Sequence, residues 1–480
     1  MAISVRGKQN RILIALLLAI SLAISISTYN FTGNLKDYRA LLRNEAPPGE
    51  AKSYKESVRD NLQLVLNISS FPGIAQVLNL FNLNFSSVED EILAAVEIAP
   101  AILASPKPSK YLVAIQNSAE ARGTGGILGA YAIVEFYMGS VKVIKTGSNE
   151  PLYGTSLKKI PVDVPTEFLN LYGNNPAIIQ NSNLSPHFPY GAEIWLGLWK
   201  KEFGEDLDGV IAVDPTALSY VLRSTGPITL ADGEQITPES AVAETLEVAY
   251  KRYENDNKAR KQHLVDIMDA VAAKLNSGGY SKVKMAQALR DGIIANRILV
   301  YSADQEVQAK LAKVRLGGFM STEPNNEFRA VIQNIDAGKL DYYLDRSVEI
   351  ETQSCERTRE TQVRVRVTNT LKSAEGLSAY VLTRADKGKP DFLVPGSHRF
   401  KVFIYGPVGA KVVSVSRENR IANLGGASTE RKRPIYVVDV DLAPGQSEEL
   451  LANFSGGTGK ISFIDQPLVR TTRVSISDNC

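Results

Sequence analysis

Tyr111-Leu-Val-Ala-Ile-Gln116, the apolar run behind Lys110, is where the chain changes character, from helical spacing upstream to extended segments downstream. Gly129–Phe136 and Val141–Thr146 follow it as further strands, with Met138-Gly139-Ser140 as the turn between them. Another strand-like run, Gly209–Val213, follows Asp208 and leads into a helix from Pro215 to Arg223, stopped near Gly226-Pro227. Thr237-Pro238 opens a helix to about Tyr253, with Thr as the N-cap and Pro at the first helical position. Two more helices are expected over roughly 257–275 and 281–297. Strands mixed with helices in this way predict an α/β core domain over 109–320.

Downstream the period changes. From Arg346 the pattern alternates, and Thr361-Gln-Val-Arg-Val-Arg-Val-Thr368 places Val363, Val365 and Val367 on one face and Arg364 and Arg366 on the other. Short strands around 400–405, 411–416, 435–440, 447–454 and 459–464, separated by Gly/Pro turns, predict an antiparallel β-sandwich over 321–480. The arginine face reads as a solvated sheet surface. The whole is α+β.

Upstream, residues 32–108 read as a helical stalk: Leu62, Val65, Leu66 and Val77, Leu78, Leu80, Phe81 recur at helical spacing, broken by Pro47-Pro48 and Pro72-Gly73. Ile12 to Ile26 is Ile, Leu or Ala throughout except Ser21 and Ser25, and small or aromatic residues extend it towards Phe31. That length lies between a signal-peptide core and a spanning helix. With no Ala-x-Ala site behind it, the expectation is an uncleaved transmembrane anchor over 12–31. The leader, 1–11, carries Arg6, Lys8 and Arg11 and no acid, which puts the N-terminus in the cytoplasm and the bulk outside the cell membrane.

Composition excludes several functions. The 480 residues hold 54 basic and 52 acidic side chains, and without the leader's three the balance is 51 to 52, so the bulk carries no basic footprint for nucleic acid. Three His and two Cys leave no Cys-rich structural zinc site. Outside the cell, Cys355 and Cys480 are a candidate disulfide; two unrelated thiols is the other reading. Gly123-Thr-Gly-Gly-Ile-Leu-Gly129 fails as a dinucleotide loop, because Leu128 takes the third fingerprint position and a strand follows. Ser156-Leu-Lys-Lys159 with Lys145-Thr-Gly147 has the order of penicillin-binding serine enzymes reversed.

What remains is charge beside glycine. Glu120, Arg122 and Thr124 precede Gly125-Gly126, where backbone N–H groups would approach an anion and Arg122 would clamp a phosphate. Lys251, Arg252, Lys258, Arg260 and Lys261 surround Asp256 at a helix junction. Brought together, arginines and a carboxylate-held divalent ion suit pyrophosphate chemistry. Ordinary helix-surface charge is the bland alternative.

Gln116-Asn-Ser-Ala-Glu-Ala-Arg-Gly-Thr-Gly-Gly126, Asn183-Leu-Ser-Pro-His-Phe-Pro189, and Leu207-Asp-Gly-Val-Ile-Ala-Val-Asp-Pro215 with Ser224-Thr-Gly-Pro227 resemble the bacterial envelope family called domain of unknown function 4012. That family has Asp where His187 stands here, and its name brings no activity. More distantly, the order of features is similar to the LytR–CpsA–Psr family, which transfers glycopolymers from polyprenyl pyrophosphate carriers to the cell wall. Arg122 follows an early strand as in that family, and Tyr250-Lys-Arg252, Asp256, Arg260 and Lys261-Gln262 look like its downstream segment, with Lys261 replacing an Arg. The resemblance implies a LytR–CpsA–Psr-like core that binds a polyprenyl-linked glycan, with Mg²⁺ as cofactor. Glu120 and Asp256 would be the metal ligands and, with Arg122, the catalytic set; Arg252, Arg260, Thr124, Gly125, Gly126 and Asn183 would bind substrate. The rival expectation is a non-enzymatic surface scaffold or glycan-binding protein.

Overall fold

A computed structural model describes residues 98, 102 and 107–480, apart from 139, 156, 356–357, 383–393, 418–419 and 422–426. The expected leader and anchor, and most of the stalk, lie outside the described residues. Among those described, no helix is long and apolar enough to cross a membrane. Ser109 and Phe136–Val141 group with the N-terminal part of the chain; Lys110–Glu135 and Lys142–Cys480 form a second compact unit.

The first sheet is built from β1 (Ser109–Arg122), β2 (Gly125–Tyr137), β3 (Ser140–Ser148), β4 (Gly209–Val213) and β7 (Ile298–Ser302), in the order β3-β2-β1-β4-β7. A two-stranded ribbon, β5 (Ile228–Thr229) with β6 (Gln235–Ile236), lies between β4 and β7 in the chain. β1 and β4 run parallel from Tyr111 opposite Gly209 to Ile115 opposite Val213, and β7 runs antiparallel to β4. Strand alternation divides β1 between two layers. Leu112 and Ala114 join the core of α1 (Phe188–Phe203) with Trp195, Leu198 and Trp199, so the two tryptophans are core packing. Val113 and Ile115 face the other side, towards α2 (Pro215–Thr225) and α3 (Asn257–Ser277). Those helices start where the sequence places them: Asp214 and Asp256 accept the Ala217 and Ala259 amides as N-caps. α3 ends at Gly278, in the left-handed conformation at φ 68°.

Three readings change. β1 continues six residues past Gln116, so Glu120 and Arg122 lie on the strand rather than beyond it. The helix expected to reach 297 is α4 (Lys282–Ile294), and β7, unexpected, follows. The helix expected from Thr237 contains a π-turn over Glu244–Val248 before its last turn, Ala249–Arg252.

The β-rich region holds two sheets. One has the order β13-β12-β16-β10-β9-β18, from β9 (Leu344–Ser354), β10 (Glu360–Asn369), β12 (Lys411–Arg417), β13 (Arg420–Ile421), β16 (Ser447–Ser455) and β18 (Arg473–Ser477). The other is β14-β15-β11-β8-β17, from β8 (Glu327–Asn334), β11 (His398–Tyr405), β14 (Ala427–Glu430), β15 (Arg433–Leu442) and β17 (Ser462–Phe463). Their facing side chains share one core: Val363, Val365 and Val367 meet Phe400, Val402 and Ile404. Arg364 points away from it and pairs across strands with Glu449 at 2.5 Å and Glu349 at 3.4 Å. The sandwich is not purely antiparallel, because β17 runs parallel to β8 and β18 parallel to β9.

β18 is an edge strand with all five residues exposed, so little burial holds it. Cys355 and Cys480 are bonded, with Cα atoms 6.1 Å apart, and tie its end to the end of β9. In the chain-entropy account a loop of this size is worth about 4–5 kcal/mol. Cys355→Ser with Cys480→Ser should therefore lower Tm by roughly 5–10 °C in a calorimetric scan. An unchanged Tm would contradict a structural role for the bridge.

Candidate functional site

The end of β1 is where charge is buried. Glu120 and Arg122 are 3% and 4% exposed, two residues apart on the same strand, and joined by an ion pair of 2.9 Å. Arg122 spends its N–H groups entirely on the protein. Nε donates to Gln180 O at 2.8 Å, Nη1 to Ala121 O at 2.8 Å and Asn334 O at 3.2 Å, and Nη2 to Glu120 Oε1 and to Asn181 Oδ1 at 3.3 Å. A guanidinium has five N–H bonds, and none is left for a phosphate. The expected clamp is a positioning residue for Glu120 instead. The other Glu120 oxygen accepts from Lys339, which is 2% exposed. The sandwich also fixes the backbone between them: Asp341 accepts the Ala121 amide at 3.0 Å, and Gln466 donates to Arg122 O at 2.7 Å.

Lys339 leads to the second basic segment. Its ammonium lies 5.4 Å from the ring centre of Tyr380, and the Arg260 guanidinium lies 4.2 Å from both Tyr380 and Tyr250. Burial works against the Lys339 charge, but Glu120 and the two tyrosines outweigh it and hold the ammonium above the ordinary lysine range. Lys339, and then Arg260, pull the Tyr380 hydroxyl below the usual phenol range. Arg260 is 5% exposed, donates to Asn257 through Nη2, and keeps a buried Nε with no hydrogen-bond partner. Next to it, Lys261 sits 5.1 Å from the Tyr153 ring and 3.5 Å from Glu150. The segments around Arg122 and Arg260 are thus brought together through Lys339 and Tyr380.

Arg252 and Asp256 are not part of this group. Arg252 makes a two-pronged pair with Glu234 at 2.6 and 2.7 Å and reaches Glu244 at 3.3 Å. Asp256 is exposed and caps α3, and among the described residues no hydrogen bond or ion pair joins it to Glu120.

A cavity of about 260 Å³ lies between the sheet and helices α2 and α3, lined almost wholly by apolar side chains. β2 makes room for it by presenting Gly129, Ala130 and Ala132. Asn117 borders the cavity and donates to the Tyr250 hydroxyl at 2.6 Å, which links it to the Arg260 cluster. α3 serves both: Leu264, Met268, Val271 and Leu275 line the cavity along the face that Arg260 begins, over roughly 22 Å of helix.

The glycine turn does something else. Gln116 Oε1 accepts from Thr124 Oγ1 at 2.8 Å, from the Gly126 amide at 3.3 Å and from Asn183 Nδ2 at 3.1 Å; Asn183 also reaches Thr124 Oγ1 and Gly126 O. The expected anion cradle is filled by the protein's own groups. A Cβ on Gly126 would run into the Asn117 carbonyl, so that glycine serves close packing of β1 on β2, while Gly125 sits at φ 136°, a backbone conformation that favours glycine. This network knots together the Gln116–Gly126 and Asn183 stretches. Residues 107–250 match the family model of Protein of unknown function (DUF4012). His187 is buried and accepts the Met320 amide on Nδ1 at 3.0 Å. Burial, then Arg431 and Arg329, hold it well below the ordinary imidazole range, so it sits neutral in the core.

No curated protein matches the chain. Among solved structures, Lin1025 from Listeria innocua is 13% identical, over 48% of this chain and 86% of its own, at a TM-score of 0.24. Protein gbs0355 from Streptococcus agalactiae is 13% identical over 45% and 76%, at 0.27. The transcriptional regulator yvhJ from Bacillus subtilis is 13% identical over 39% and 76%, at 0.20. Scores this low bear on neither fold nor function.

The DUF4012 segment supplies Glu120, Arg122, Tyr153 and Tyr250, while Arg260, Lys261, Lys339 and Tyr380 lie beyond it. Lys339 and Tyr380 were not legible as site residues, since nothing in the sequence around them marks either. The divalent ion expected on Glu120 and Asp256 does not fit: both Glu120 oxygens hold cations, and Asp256 is a helix cap elsewhere. The DUF4012 glycine turn gives a direct test. Gly126→Ala should shift the urea midpoint by roughly 1–3 kcal/mol of lost stability, as overpacking does. A midpoint equal to wild type would return that turn to ligand binding.

Proposed function

We propose that this chain is a cell-envelope protein that binds a polyprenyl-linked phosphate or pyrophosphate, the anionic head on Arg260 and the isoprenoid chain in the cavity below it. The observation that carries the reading is Arg260 itself: a buried guanidinium with an unpartnered Nε, at the head of the helix face whose apolar side chains line an apolar cavity. An amphiphile with a charged end and a long hydrocarbon satisfies both halves. The distant LytR–CpsA–Psr resemblance supports the same ligand class, and the apolar run 12–26 would hold the chain at the membrane where such lipids are found.

The geometry favours binding over glycan transfer. Transfer requires a group to take the acceptor's proton. Both oxygens of Glu120 are engaged and Asp256 caps a helix, so neither expected carboxylate is free for that task.

Native mass spectrometry of the detergent-extracted chain with an added long-chain polyprenyl monophosphate tests the reading. Wild type should retain the lipid. Arg260→Ala should weaken retention by about tenfold or more, the worth of one charge-assisted contact. Ala272→Trp, which fills the cavity while leaving every cation in place, should abolish it. Retention unaffected by both substitutions would overturn the assignment and leave the scaffold reading.

A further inference from the structure

The resemblance to pyrophosphate transferases implied a divalent ion, and the residues present do not fit one. We infer that the site neutralises its phosphate ligand with protein cations alone, and that Lys339, from the β-rich region, stands where the ion would be. The inference rests on the lipid-phosphate reading and deepens it.

Three observations carry it. First, Glu120 is saturated: Oε1 pairs with Arg122 at 2.9 Å, Oε2 pairs with Lys339, and both the carboxylate and the ammonium are almost fully buried. A divalent ion there would have to displace Lys339 and then share a desolvated space with two positive side chains. Second, the formal charges of the cluster already match the task. Arg122, Lys339, Arg260 and Lys261 stand against Glu120 and Glu150, which leaves two net positive charges for a ligand phosphate. Third, the same substitution recurs nearby. Glu234, Glu244 and His263 bring three ligand atoms within 4.8 Å of one another, and the Arg252 guanidinium already bridges both carboxylates. At both places a side-chain cation, held by hydrogen bonds, does the work of charge compensation.

The role of Lys339 is then twofold. It keeps Glu120 compensated, and with Arg260 it brackets the half-buried Tyr380, at 5.4 and 4.2 Å from the ring, so two cations meet at one aromatic side chain beside the proposed phosphate site.

The test uses the full chain in detergent and has two arms. In the first, affinity for a long-chain polyprenyl monophosphate is measured in EDTA and in millimolar Mg²⁺. Wild type should differ by less than about twofold between them, Lys339→Met should weaken binding by about tenfold, and Lys339→Arg should restore most of it. Tenfold tighter binding in Mg²⁺, lost in Glu120→Gln, would overturn the inference. In the second arm the protein alone is titrated with Mn²⁺ and followed by electron paramagnetic resonance. A stoichiometric ion present in wild type and lost in Glu120→Gln would also overturn it; the absence of any Glu120-dependent ion supports it. If wild type binds no polyprenyl phosphate under either condition, the lipid reading fails, while the Mn²⁺ arm still decides the cation assignment.

Discussion

The Glu120 carboxylate, buried at the end of β1 between Arg122 and Lys339, is the interaction on which the rest of the site depends. Three charged groups are taken out of water together, which is tolerable because both Glu120 oxygens and every Arg122 N–H find a partner and the Lys339 ammonium pairs with Glu120 beside the Tyr380 ring. Removing one partner from such a set typically costs about 3–5 kcal/mol, since an uncompensated charge remains inside. The set also ties distant parts of the chain together: Glu120 and Arg122 close a strand of the first sheet, while Lys339 precedes the first long strand of the second. Lys339 and Arg260 both lie against the Tyr380 ring, and in this cluster the buried Arg260 guanidinium keeps an Nε with no hydrogen-bond partner.

The ligand reading follows from α3. By helical spacing a single face of α3 begins with Arg260 and continues as Leu264, Met268, Val271 and Leu275, and those four apolar residues line the cavity. Neither half alone is diagnostic. An apolar cavity is met in many α/β layers, and cations on a helix usually face water. The proposal rests on the two together, linked by the Asn117–Tyr250 hydrogen bond.

Periodicity made much of the fold legible. The alternation over Thr361–Thr368 placed three valines in the sandwich core, and Pro215 and Thr237-Pro238 marked helix starts within a few residues. The misreadings share a physical cause. β1 looked six residues too short because Glu120 and Arg122 read as anion-binding groups of a glycine turn, whereas they pair inside the protein, Glu120 with Lys339, 219 positions away. The glycines beside them pointed to an anion because backbone approach to a ligand and to a neighbouring strand demand the same residue. Arg252 and Arg260 were indistinguishable as sequence; only the fold gives Glu234 to the first and two aromatic faces to the second. Parallel edges at β17 and β18 left no local signal, since register with a distant strand decides them.

Photo-crosslinking with a benzophenone-tagged isoprenoid phosphate, followed by peptide mapping, addresses the central claim most directly. The account predicts label on the α3 peptide between Leu264 and Leu275 and on β2 around Ala130 and Ala132, displaced by unlabelled lipid phosphate. Label confined to the sandwich, or label on α3 that the unlabelled lipid does not displace, would contradict it.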